Sequence, residues 1–117
     1  MEYELVITPT AVSEILAICD YIANDSPQNA AKVGGRIYST IETVRKFPQI
    51  GGSAKERFGL KMDFQYFVVL PYTYIIFYKV VGQKLYVGHV IDGRRDCVRV
   101  LTLTQKNPWG QAQGLLL

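Results

Sequence analysis

The sequence has few of the residues that bind metals or carry covalent chemistry. It has one histidine, His89, and two cysteines, Cys19 and Cys97, in 117 residues. The cysteines show no metal-ligand spacing, so neither a metal centre nor any other cofactor is expected. They also lack the dense, even pattern of a secreted disulfide scaffold, and both read as reduced thiols. No apolar run approaches the ~20 residues that span a bilayer. Glu2 and Glu4 break up any apolar leader. A cytoplasmic protein away from membranes is therefore expected. A phosphate-binding glycine loop is missing too. Gly34-Gly35 falls within a helical pattern, and Gly51-Gly52 lies in a loop with no following helix cap. Neither sign of charge dominates. The net charge is +3 and the pI is near 8.9, which permits a nucleic-acid or acidic-protein partner without requiring one.

What is present is enough for one packed domain. Hydrophobic residues make up 49% of the chain, too many for a disordered segment. Residues 2–7 alternate as a short half-buried strand. Thr8-Pro9 then opens a helix, a cap followed by proline at the first helical position. Val12, Ile15, Leu16, Cys19, Ile22 and Ala23 form its apolar stripe. Ser26-Pro27 opens a second helix in the same way. It runs to about Phe47, where Pro48 stops it, with Val33, Ile37, Ile41, Val44 and Phe47 as the buried stripe. The short link makes the two an antiparallel hairpin. Gly34-Gly35 inside the second helix is either tolerated strain or a point of close approach.

Residues 48–59 read as a turn-rich loop carrying Lys55 and Arg57. Leu60, Met62 and Phe64 alternate with Lys61, Asp63 and Gln65, which predicts a strand from about 60 towards Val69. The rest of the chain is organised around residues 71–96. Residues 73–80 are aromatic and β-branched on both faces, as in a central strand. Val81-Gly82-Gln83-Lys84 turns the chain, Leu85 to Ile91 runs back, and Asp92-Gly93-Arg94-Arg95-Asp96 ends the strand in a burst of charge. Residues 97–103 are a strand continuation or a short helix. The tail 104–117, with Trp109 and three terminal leucines, reads as an appendage to a single domain of residues 1–103. The tail should dock on the protein's own groove or on a second copy. The order strand, helix, helix, then three strands is α+β: β-α-α-β-β-β, a helical hairpin on a mainly antiparallel four-stranded sheet.

Several segments, in this order, resemble one family. They are Pro9, Asp20-Tyr21-Ile22-Ala23, Ser26-Pro27-Gln28-Asn29-Ala30-Ala31, Thr40-Ile41-Glu42, Phe47-Pro48-Gln49-Ile50-Gly51, Tyr74 to Val80, and Asp92-Gly93-Arg94-Arg95-Asp96. Over residues 3–100 the chain resembles the RelE/ParE superfamily of type II toxin–antitoxin toxins, and more closely its ParE branch. Asp92 stands where that family often has histidine. The resemblance implies a growth-inhibiting toxin neutralised by a cognate antitoxin, with DNA contacted only through that antitoxin. ParE-like members inhibit DNA gyrase by binding it. RelE-like members cut mRNA on the ribosome, the 2′-hydroxyl attacking the neighbouring phosphate. A degenerate member that only binds its antitoxin is a third reading, and a homodimer stays open.

The residues weigh against cleavage. A ribonuclease needs a base, a proton donor and cations for the developing charge. Its candidates here are Lys55, Arg57, Lys61 and Arg94. Arginine stays protonated and cannot be the base, and lysine could be only with a strongly lowered pKa. No tyrosine follows Tyr86. His89 reads as structural, placed by alternation on the face of Leu85, Val87 and Ile91. The tyrosines of the strands read as packing rather than a stacking platform. The expectation is a protein-binding inhibitor without catalytic residues, binding antitoxin or target through Arg94, Arg95, Lys61, Arg57 and Trp109. An apolar groove between hairpin and sheet should receive the antitoxin.

Overall fold

The computed structural model describes residues 3–95 and 97–103. It begins with β1 (Glu4–Ile7), α1 (Pro9–Ala23) and α2 (Pro27–Lys46). A 3-10 turn at Pro48–Ile50 leads to β2 (Gly52–Ser53) and α3 (Ala54–Phe58). Then come β3 (Gln65–Val69), β4 (Tyr74–Val81), β5 (Lys84–Asp92) and α4 (Cys97–Leu103). Both long helices start as their sequences dictate. The Thr8 hydroxyl accepts the Ala11 N–H at 3.2 Å and the Ser26 hydroxyl accepts the Asn29 N–H at 3.1 Å, each followed by proline.

The class is α+β, with the hairpin on one face of the sheet, but the sheet has five strands rather than four, in the order β1-β5-β4-β3-β2. The added strand is two residues long, Gly52 and Ser53 paired with Tyr66 and Gln65. A strand so short carries no alternation to read. β1 lies parallel to β5, with Leu5 beside Leu85, and the other pairs are antiparallel. β4 lies between β3 and β5, as its two apolar faces require. One face meets the hairpin through Ile15, Ile37, Ile41 and Val44 against Ile76, Tyr78, Leu85 and Val87. The other face is covered by α3, α4 and the run before β3, with Ala54, Phe64, Cys97 and Leu101 around Ile75, Phe77 and Ile91.

Four sequence expectations are corrected here. The strand anticipated from residue 60 begins only at Gln65. Its early alternation comes from a loop that turns Leu60 and Phe64 into the second core while Met62 stays 45% exposed. The glycine pair at 51–52 is followed by a helix cap after all, because the Ser53 hydroxyl accepts the Glu56 N–H at 3.2 Å. In α1, Leu16 is 56% exposed, since Ala11, Ile15, Ile18 and Ile22 already fill the arc that meets the sheet. Finally, Phe77 pairs with His89 while Tyr78 pairs with Val87, which leaves Gly88 as a bulge. That extra residue reverses the alternation. His89 and Ile91 share one face with their partners Phe77 and Ile75, and Leu85 and Val87 share the other.

The undecided positions resolve on the same physical grounds. Residues 97–103 form a helix. At Gly34 a Cβ would sit 3.2 Å from the Cys19 sulfur, so the helices approach closely there; at Gly35 it would meet nothing.

Candidate functional site

β1 ends at Ile7 and flanks β5 only from Lys84 to Val87. The remainder of β5 runs on beside α1. Thr8 closes the junction, its N–H donating to the Val87 carbonyl at 3.0 Å and its hydroxyl to the Gly88 carbonyl at 3.2 Å. Glu14 on α1 reaches the strand next. Its Oε1 accepts the Val90 N–H at 2.8 Å, and its Oε2 lies 2.8 Å from His89 Nδ1. His89 is fully buried.

Past this tether a cavity of about 360 Å³ opens between α1 and the ends of β4 and β5. Ala17, Ile18 and Tyr21 wall it from the helix, and Tyr74, Val90 and Ile91 from the sheet. Glu14, Asp92 and Arg95 supply its charge. Burial, then the nearby Asp92 carboxylate, raises the Tyr74 phenol above its ordinary pKa. Tyr21 at the mouth is 78% exposed.

Asp92 organises the turn that carries the arginines. Its carboxylate accepts the Thr73 hydroxyl at 2.8 Å, the Arg94 N–H at 3.0 Å and Arg94 Nη2 at 2.7 Å. Its carbonyl accepts the Arg95 N–H at 2.9 Å. Gly93 is held so close to Thr73 that a Cβ would lie 2.8 Å from the Thr73 carbonyl oxygen. The two arginines therefore differ. Arg94 is committed to Asp92, although its side chain is 75% exposed. Arg95 is exposed, faces the cavity and forms no ion pair with a carboxylate among the described residues.

The Arg94 guanidinium, helped by the Arg94 N–H and the Thr73 hydroxyl against a smaller desolvation cost, pulls the Asp92 carboxyl from its ordinary 3.8 to about 2. The unfolded chain thus takes up this proton more readily than the folded one, and the stabilisation is complete above about pH 4. It is lost as pH falls from there through 2. In acid denaturation followed by circular dichroism, Asp92→Asn is expected to flatten the loss of stability between these limits. Parallel curves for the two proteins would contradict this assignment.

The other site residues named from the sequence do not gather here. Lys55 and Arg57 are exposed on α3, with the Arg57 guanidinium 5.1 Å from the Phe58 ring centre. Lys61 is exposed in the run leading to Gln65, which pairs with Tyr78 at one end of the sheet. Arg94 and Arg95 follow Asp92, which pairs with Tyr74 at the other end. Trp109 lies outside the described residues. Sequence reasoning missed Glu14, Ala17 and Tyr74 as lining groups and Asp92 as the organiser. Tyr21 was visible only as part of the Asp20-Tyr21-Ile22-Ala23 segment. Among the described residues, no group of three histidine, cysteine or carboxylate side chains is placed to hold a metal, and no helix is long and apolar enough to cross a membrane.

The chain matches the family described as the ParE toxin of the type II toxin-antitoxin system, parDE, over residues 5–97. No curated protein matches it. Among solved structures, it is similar to a chain described as the chromosomal ParDE TA system from P. aeruginosa. The TM-score is 0.65 at 15% sequence identity, covering 78% of this chain and 96% of that one. That likeness shows the fold, and the family match covers most of the sequence. The chain belongs to the ParE toxin family of type II toxin–antitoxin systems.

Proposed function

We propose that this protein is the toxin of a two-protein pair, that a cognate antitoxin neutralises it by occupying the cavity beside α1, and that it arrests growth by binding DNA gyrase. The observation that carries the antitoxin reading is the charge balance of the cavity. Its walls are apolar. Both carboxylates at its rim are engaged, Glu14 by Val90 and His89 and Asp92 by Arg94 and Thr73. Arg95 is the cation left to meet a carboxylate. An apolar, acidic segment is the complement. The similar chain from P. aeruginosa belongs to a ParDE system, which supports a partner of this kind.

Action by binding is favoured by the dispersal of the candidate catalytic groups. Arginine cannot accept a proton, the fully buried His89 faces Glu14, and Lys55 and Lys61 stand exposed on elements away from Arg94. Induced expression is expected to arrest growth. Lys55→Ala, Arg57→Ala and Lys61→Ala should leave that arrest intact, and purified protein should inhibit gyrase supercoiling. Co-expression of the adjacent reading frame should restore growth. Mapping mRNA ends in the arrested cells supplies the decisive contrast. Codon-phased cuts that vanish in Lys61→Ala would replace gyrase binding with ribosome-dependent cleavage. Absence of any growth arrest would leave only antitoxin binding.

A further inference from the structure

We propose that the cavity beside α1 is a seat for the chain's own Trp109: the segment that follows α4 returns round the edge of β5 and places its indole among Tyr21, Tyr74 and Arg95. The contact is made within one chain and requires no partner.

The lining suits an indole. Tyr21 and Tyr74 present two aromatic rings, and Ala17 beside them is small. Aromatic rings pack on one another offset or edge to face. Arg95 lines the cavity and forms no ion pair with a carboxylate among the described residues. Residues 104–117 contain no aspartate or glutamate. What this segment can offer the guanidinium is therefore an aromatic face, and tryptophan has the best one. A buried indole N–H needs an acceptor. A carboxylate has about four acceptor sites, and Glu14 at the rim meets Val90 and His89 with one each. The volume, about 360 Å³, admits one large side chain.

Trp109 is also within reach. α4 follows Arg95 closely and has 7 residues, so it carries the chain only about 10 Å at 1.5 Å per residue. The run from Leu103 to Trp109 spans about 20 Å when extended, enough to come back past the start of α4 whichever way that helix points. α4 packs on the face of the sheet away from the hairpin, so the return passes the edge of β5. β1 leaves that edge beyond Val87. The family match stops at residue 97, before this segment begins. A cavity closed by the chain's own tryptophan admits another molecule only when Trp109 leaves it.

Trp109 is the chain's single tryptophan, so fluorescence of the whole purified protein reports it directly. In the parent the emission should be blue-shifted from that of the urea-unfolded chain. Quenching by acrylamide should be weaker by roughly threefold or more, since only the open minority is accessible. Ala17→Arg and Tyr21→Ser, both at exposed positions of α1, should move emission and quenching towards the unfolded values with unchanged circular dichroism. Leu16→Ser, on another side of α1, should leave both as in the parent. Solvent-like emission in the parent would overturn the proposal. So would a blue shift that neither cavity variant alters, which would seat Trp109 elsewhere, or one that disappears on dilution, which would seat it on a second copy.

Discussion

Replacing Gly51 by alanine is expected to lower the melting temperature by roughly 10–20 °C. The glycine adopts an ordinary extended conformation, with φ −79°, so the cause is space. An alanine methyl would overlap the Tyr78 hydroxyl and lie 2.7 Å from the Tyr66 carbonyl oxygen. Neither neighbour can yield. Tyr78 is fully buried in the first core, and its hydroxyl donates to the Pro48 carbonyl at 2.6 Å. Burial pushes its phenol up to about 12, in keeping with a hydroxyl held neutral in a tight site. Tyr66 is fixed in β3, paired with Gly52 on one side and Phe77 on the other. Overpacking of this kind costs about 1–3 kcal/mol, and losing the phenol's hydrogen bond adds about 1 kcal/mol. Gly35→Ala is the matched control. It sits in a helix with nothing in reach of a Cβ and should stabilise by up to about 1 kcal/mol. Similar thermal unfolding for the two variants would refute the steric account.

Glu14→Ala is expected to cost about 2–3 kcal/mol, because one carboxylate serves two groups at the end of α1's contact with β5. It accepts the Val90 N–H and lies in hydrogen-bond range of the buried His89 ring, both at 2.8 Å. Removing it takes a partner from a side chain with no exposure to water. Glu14→Gln keeps the length of the side chain and should cost less. Denaturant unfolding measures both, the midpoint falling with little change in slope. A loss under about 0.5 kcal/mol in Glu14→Ala would mean that water substitutes for the carboxylate at both atoms.

The helical hairpin, the central place of β4 and the charged end of β5 were legible because each rests on local chemistry. Thr8-Pro9 and Ser26-Pro27 announce helix starts wherever they occur. The two apolar faces of residues 74–78 demand cover on both sides. The parts that were not legible depend on partners distant in sequence. Nothing near His89 reveals that Gly88 is left out of the ladder, and one unpaired residue reverses every face beyond it. Gly51 and Gly52 read as a loop because their function is to admit Tyr78 and Tyr66, which lie well beyond them in the chain. Arg94 and Arg95 read as equals until the Asp92 carboxylate takes one of them. Glu14 looked like an ordinary polar position of an amphipathic helix. Its importance follows only from β1 stopping at Ile7.

The parallel pairing of β1 with β5 also constrains the order of assembly. The first strand finds its neighbour at residues 84–87, and Thr8 and Glu14 are joined to residues 80 and 75 positions or more downstream. Closing so long a loop is entropically costly and slow relative to forming the α1–α2 hairpin or the β4–β5 hairpin. A nascent chain can therefore build its two hairpins during synthesis while β1 waits for β5. Until β5 emerges, the chain has no edge beside α1 and no cavity.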